Sequence, residues 1–391
     1  MKRAILPLAT LVFSSGFVVD TALSATSPAV SPAVQVPLET SLEALRRKAG
    51  FPALAVATFK GTAKSVKKTV VAVGFRKDHD PTPVAKDDPF HFGSCGKSMT
   101  ATLAALLVEE GLLKWESTLG ELLPDVKGIH PEFAAVPFEL LLAHSAGVVE
   151  DLMSFQGGVL WKSLWDRKLD PVRGRRMVVE GVLSVKPTSK PGTQFGYSNA
   201  SYIVAGHILE RLAGMPYETL LRKRLFEPLG MASCGFGAAG TAKAKTPDAP
   251  WGHVSTATGL TPVPPGFKAD NPPAMRPAGG MHCSVGDWLK YVKLHLAGHN
   301  HARTPLLSHE SFGKLHKPFR GGDYTFGGWN FDKDSEGRAR FSHNGSNTLN
   351  YSLVGFTPEA QTAAVAVTNS APEGAEAHLY EAIEQVLSHR P

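Results

Sequence analysis

The sequence predicts an α+β fold: an antiparallel sheet flanked by N- and C-terminal helices, with a mainly helical part inserted between the two halves of the sheet. Three observations lead there. Two short β-branched segments near residue 60, separated by a lysine-containing turn, read as a hairpin. Strand text then thins out and returns after Thr325, in four short apolar segments. Neither set of strands can bury a core alone, so the two ends of the chain must meet in one sheet, covered by the terminal helices.

Taken in order, residues 1–24 carry Lys2 and Arg3, an apolar run from Ala4 to Val19, and small residues at Ala22, Ser24 and Ala25. This is the layout of a signal peptide cleaved after Ser24, and it predicts a periplasmic or secreted protein. The alternative, an uncleaved membrane anchor, is disfavoured because the run is short for a span and is broken by Pro7, and no integral span is expected once the signal is removed. Residues 25–37, rich in Pro, Ala, Ser and Val, read as a flexible lead. Leu38 to Ala49 is an amphipathic helix stopped by Gly50. Ala53–Phe59 and Thr69–Gly74 form the hairpin.

A helix follows from Ser94 through the apolar run Ala101 to Leu113, with Leu103, Leu106 and Leu107 at spacings that suit one buried face. From about Leu119 to Arg276 the text is helix and loop. Phe138 to Gly147 and Tyr202 to Ala213 read as helices, and the Gly-, Ala- and Pro-rich stretch 235–277 as a long loop over a cleft. Ser284 and Asp287 resemble a capping box for the helix that follows. The late strands are Trp329–Phe331, Ala339–Ser342, Tyr351–Phe356 and Ala363–Thr368, and Glu373 to Ser388 is the terminal helix. The folded part thus runs over 38–391, with its sheet part at about 38–93 and 278–391, its helical part at about 94–277, and a groove between them.

Composition narrows the function. A chain of 391 residues, 43% hydrophobic, has ample core for one large or two modest domains. The formal charge of +6 falls to +5 without Lys2, Arg3 and Asp20, and no dense basic block accompanies it, so nucleic acid is not an expected partner. Cys95, Cys234 and Cys283 form no C-x-x-C pair, and an odd count leaves at least one thiol free unless chains pair. Cys95 is expected to pack into the core. His282, His295, His299 and His301 sit in helix and loop text without an H-E-x-x-H, so they are read as surface or loop residues and no metal is expected.

Three segments carry chemistry. Ser94 and Lys97 lie three apart at a helix start, roughly 5 to 6 Å between their Cβ atoms, and an amine kept neutral by burial can take the proton of a serine hydroxyl. Ser65–Lys68 and Ser311–Lys314 repeat the interval without opening a buried helix. Tyr197-Ser198-Asn199 follows a turn-rich lead that sets the tyrosine in a loop, where a phenol can relay a proton if positive charge favours its ionised form, and an amide can hold an acyl group. His343-Asn344-Gly345-Ser346 lies between late strands, where glycine lets a ligand approach the backbone and the Ser346 N–H can join that of Ser94 at a developing oxyanion. His/Lys-x-Gly also begins at Lys48, His91 and Lys190; only its place among late strands singles this one out.

The order S-x-x-K, Y-S-N, H-x-G resembles the serine β-lactamase and penicillin-binding superfamily. Phe92-Gly93-Ser94, Leu141-Leu142-Ala143-His144-Ser145-Ala146-Gly147, Pro191-Gly192-Thr193 and Pro277-Ala278-Gly279-Gly280 look like its branch of class C β-lactamases, D-alanyl-D-alanine carboxypeptidases and related esterases, from about residue 38 to the C-terminus. The resemblance implies a β-lactamase/transpeptidase-like fold and a cofactor-free serine hydrolase that acts through an acyl-enzyme on an ester, amide or β-lactam. It implies that Ser94 attacks, Lys97 and Tyr197 share the proton transfers, Asn199 positions the acyl group, and Ser94 and Ser346 bind the oxyanion. How Lys97 and Tyr197 divide the work stays open. The chain departs from the pattern in carrying His343-Asn344-Gly345 where many β-lactamases have Lys-Thr-Gly, which removes a fixed cation and points toward esters or amides. A silent member that binds cell-wall peptide or a protein is the alternative. Gly96 within the tetrad loosens the first turn by roughly 1 kcal/mol relative to alanine.

Overall fold

The computed structural model describes residues 36–61, 65–256 and 259–389; the expected signal peptide and most of the lead lie outside them. Among the described residues the strands are β1 (Ala53–Gly61), β2 (Val66–Gly74), β3 (Phe90–His91), β4 (Gly235–Phe236), β5 (Gly252–Thr256), β6 (Gly259–Val263), β7 (Met281–Cys283), β8 (Asn330–Lys333), β9 (Ala339–Ser346), β10 (Tyr351–Thr357) and β11 (Thr362–Thr368). The main sheet is antiparallel, in the order β2-β1-β11-β10-β9-β8. The ends of the chain meet at its centre, where Leu54 to Lys60 of β1 pair with Thr368 to Thr362 of β11.

Side-chain alternation divides β1 between two cores. Leu54 and Val56 face a layer made by the N-terminal helix (Leu38–Lys48) and the C-terminal helix (Ala375–Ser388), with Leu42, Leu45, Leu379 and Val386 buried there. Ala53, Ala55 and Ala57 face the larger core, where small side chains let the helix Val285–His299 pack against β1, β10 and β11. Burial on both faces explains why β1 and β11 are nearly continuous apolar runs. Each buried leucine or valine contributes about 1.5–3 kcal/mol relative to exposure.

The helical part packs on the larger core through the helices Lys97–Glu109, Pro171–Val182 and Asn199–Ala213. Three expectations change. Phe138 to Gly147 is one helical turn, Glu139–Leu142, because the chain reverses at His144 with φ of 51°. The stretch 235–277 is not one loop: β5 and β6 form a hairpin, and β4 joins β3 and β7 in a small sheet. His295 is in the core, its Nδ1 2.9 Å from His316 Nε2 and its Nε2 2.8 Å from the Tyr291 hydroxyl. Those imidazoles are satisfied by one another, which helical periodicity could not foresee. Among the described residues no helix is long and apolar enough to cross a membrane.

A disulfide between Cys234 and Cys283 ties the chain before β4 to the end of β7, and Cys95 is buried and free. A cross-link spanning 49 residues restricts the unfolded chain and is worth about 2–4 kcal/mol. In the absence of reductant, Ellman's reagent is expected to find no thiol in the native chain and one after unfolding in denaturant; three thiols after unfolding would overturn the pairing.

Candidate active site

Ser94 stands on a short turn, Gly93–Gly96, that feeds directly into the helix Lys97–Glu109. The turn is pressed against the end of β9, which dictates glycine on both sides. Gly93 has φ of 51°, and a Cβ there would lie 2.4 Å from Ser346 N; a Cβ on Gly345 would lie 2.2 Å from Phe92 O and 2.8 Å from Ser94 N. The backbone of Ser94 and that of Ser346 are therefore brought together. Gly96 also makes room for Met281, since a Cβ there would come within 3.2 Å of its Sδ.

Lys97 is fully buried and its amine touches three segments of the chain. Nζ lies 3.1 Å from Ser94 Oγ, 2.7 Å from Asn199 Oδ1 and 2.7 Å from Ala278 O. No carboxylate pairs with it among the described residues, and burial pulls its pKa down from 10.5 to about 7. The amide and carbonyl oxygens can only accept. They take the two N–H bonds of a neutral amine and leave its lone pair facing the hydroxyl of Ser94.

Tyr197 faces the Ser94 and Lys97 side chains, and its ring centroid lies 4.8 Å from Lys97 Nζ. Burial holds the phenol protonated, well above its ordinary pKa, so the expected ionised form is replaced by a neutral donor. Asn199 is the first residue of a helix, and Ser198 caps that helix by accepting from the Ser201 N–H at 3.2 Å.

The left-handed turn at His144 holds the Tyr197 loop. Its carbonyl accepts the Gly196 N–H at 2.8 Å, its Nδ1 accepts the Ser198 N–H at 3.0 Å, and its ring lies 4.3 Å from that of Tyr197. The sequence offered His144 only as part of a family-like run, with no role attached.

His343 is 2% exposed, with Nδ1 turned to Asn344 O and Nε2 3.3 Å from the Tyr324 hydroxyl. Burial and the nearby Lys97 pull its pKa to about 3, so it is neutral and supplies no cation. Asn344 faces the other side of the sheet, where Nδ2 donates to Glu376 Oε2 at 2.8 Å and to the Tyr351 hydroxyl at 3.0 Å. Cys95 Sγ donates to His343 O at 3.2 Å, and burial pushes its pKa to about 12, which leaves it inert beside the serine.

A buried chain links the two backbone segments at Ser94 and Ser346. His91 Nδ1 accepts the Gly93 N–H at 3.1 Å, its Nε2 lies 2.8 Å from Asp270 Oδ1, and Asn347 Nδ2 reaches the same oxygen at 3.5 Å. The sequence shows His91 only as the start of one more His-x-Gly and marks Asp270 by no motif, because their contact joins β3 to a loop far away in sequence. If this chain sets the spacing of the two amides, Asp270→Ala is expected to lower kcat for an ester about 10- to 100-fold with little change in KM, whereas Asp270→Asn keeps most activity. A loss confined to KM would refute that role.

Comparison with known proteins places this geometry. Penicillin-binding protein 4 of Amycolatopsis lactamdurans is 25% identical over 340 residues, 84% of this chain and 83% of the relative. The unguisins hydrolase ungD' of Aspergillus campestris is 27% identical over 219 residues, 54% of this chain but only 38% of that longer enzyme. In structure, the octameric penicillin-binding protein homologue from Pyrococcus abyssi superposes with a TM-score of 0.73 at 23% identity, covering 90% of this chain and 77% of that one. The model of the Beta-lactamase family matches residues 38–388, nearly the whole described structure and every residue of the cluster around Ser94, and the chain belongs to that family.

Proposed function

We propose that this protein is a serine hydrolase that forms an acyl-enzyme on Ser94 and acts on esters or amides in preference to β-lactams. The observation that carries the reading is the Lys97 amine, fully buried, free of any carboxylate partner among the described residues, and 3.1 Å from Ser94 Oγ. In this reading Lys97 is the base: the oxygen of Ser94 attacks the carbonyl carbon as its proton passes to Nζ. The N–H groups of Ser94 and Ser346 stabilise the oxyanion, and Asn199 steadies both the amine and the acyl group. As the scissile C–O or C–N bond breaks, the neutral Tyr197 hydroxyl delivers a proton to the leaving atom and takes back from Lys97 the proton that Ser94 gave up. Water then attacks the acyl-enzyme by the reverse path.

The neutral His343 supports the preference for esters and amides, since the strand beside Ser94 carries no cation for a substrate carboxylate. The Cys234–Cys283 disulfide supports export to an oxidising compartment, periplasmic or extracellular, in keeping with the expected signal peptide.

The pH dependence follows from the sign of the Lys97 shift. Its neutral form is the active one, so kcat/KM is expected to rise tenfold per pH unit below about 7 and to level off above about 8. A profile flat from pH 5 to 8 would contradict a lysine base. Lys97→Arg and Tyr197→Phe are each expected to lower acylation roughly 10²–10⁴-fold without loss of fold, measured by stopped-flow ester turnover and circular dichroism. Near-normal acylation by either variant would remove its assigned role. Assayed side by side on the mature chain, a short p-nitrophenyl ester is expected to turn over faster than nitrocefin, with a D-Ala-D-Ala peptide as the amide test. A fluorophosphonate probe that labels neither the native chain nor Ser94→Ala would favour a silent binder.

A further inference from the structure

A cavity of about 470 Å³ opens beside the loop that carries Tyr197, within the size range of small-molecule sites, about 300–1,000 Å³. The rings of Phe195, Phe319 and Tyr324 line it, and Arg320 and Asp323 are its two charged residues. Its inner wall is also the wall of the catalytic cluster. Tyr324 and Phe195 lie 5.0 and 5.7 Å from the His144 ring, which in turn lies 4.3 Å from Tyr197.

Two features set this cavity apart from ordinary surface. Phe195 is 56% exposed at its rim, a large apolar ring left in water. Arg320 has φ of 51°, a left-handed conformation unfavourable for any residue with a Cβ, it is followed by Gly321 and Gly322, and it lines the cavity. Neither charge serves the fold. Among the described residues, no ion pair or side-chain hydrogen bond engages Arg320 or the Asp323 carboxylate; the guanidinium lies 5.6 Å over the Phe319 ring.

We propose that this cavity is a subsite for an α-amino acid in its zwitterionic form, with an aromatic or branched apolar side chain. The side chain lies against the three rings, the carboxylate meets Arg320 and the ammonium faces Asp323. A ligand with a carboxylate alone leaves Asp323 as a like-charge neighbour, and a ligand with an amine alone meets Arg320 in the same way. A group bearing both signs satisfies both residues.

The meaning of the subsite rests on the hydrolase reading above. When a peptide acylates Ser94, the C–N bond breaks and the C-terminal amino acid leaves, its nitrogen taking a proton from the Tyr197 side while its own carboxylate stays free. The released amine then picks up a further proton from water, and the product is a zwitterion beside the cavity that fits it.

The test is calorimetric titration of the full chain with phenylalanine, phenylalaninamide and 3-phenylpropionate, which present both charges, the ammonium alone and the carboxylate alone. Phenylalanine is expected to bind at least tenfold more tightly than either of the others. Arg320→Ala is expected to weaken it about 10- to 100-fold and Asp323→Asn several-fold, while both variants hydrolyse a neutral short-chain ester as the native chain does. No saturable binding of phenylalanine, equal binding of 3-phenylpropionate, or an unchanged affinity in Arg320→Ala would each overturn the subsite. Titration needs no turnover. An inactive chain that still binds phenylalanine would sink the hydrolase reading alone, and an active ester hydrolase that does not bind it would sink the subsite alone.

Discussion

The burial of one lysine amine is the constraint on which the rest of the structure depends. Lys97 Nζ gathers Ser94, Asn199 and Ala278 from three separate segments, and it does so in a core that offers no counter-charge among the described residues. An ammonium there lacks both water and a carboxylate, so its proton is held loosely and the neutral amine is accessible near pH 7. The same burial works against folding. The unfolded chain holds that proton up to about pH 10.5, so the cost to stability grows as pH falls from there to about 7 and is constant below. The packing that makes the amine reactive is therefore also a local weakness, offset by the two cores on either face of the sheet.

That arrangement requires backbone to meet backbone. The turn at Gly93 and the end of β9 approach so closely that neither Gly93 nor Gly345 has room for a Cβ. Two anchors set the approach from behind. On one side of the sheet Asn344 is tied to Tyr351 and Glu376 of the C-terminal helix; on the other, His91 and Asp270 connect Gly93 to Asn347. Donor positions fixed in advance are what transition-state stabilisation asks of a fold, because they do not have to be reorganised when charge develops.

The interior of the cluster holds little permanent charge. His144 and His343 are kept neutral by burial, and Tyr197, Tyr202 and Tyr324 are kept protonated by the same cause. A neutral carbonyl group enters such a site without meeting an uncompensated charge. Formal charges sit farther out, on Arg320 and Asp323 at the cavity beside Tyr197, where the distal part of a substrate or product would lie.

Much of this was readable from the sequence alone. The hairpin, the four late strands and both terminal helices follow from apolar periodicity, which reports local burial. The spacing of Ser94 and Lys97 placed them on one helical face, and the order of the three motifs located Tyr197, Asn199 and the His343–Ser346 strand end. Local text cannot encode what depends on residues meeting across the fold. The left-handed turn at His144, the support given by His91 and Asp270, the disulfide partner of Cys234, the core position of His295 and the neutral state of Tyr197 were decided only by tertiary packing. Desolvation and contact between distant segments set those features, and neither is a property of any one stretch of sequence.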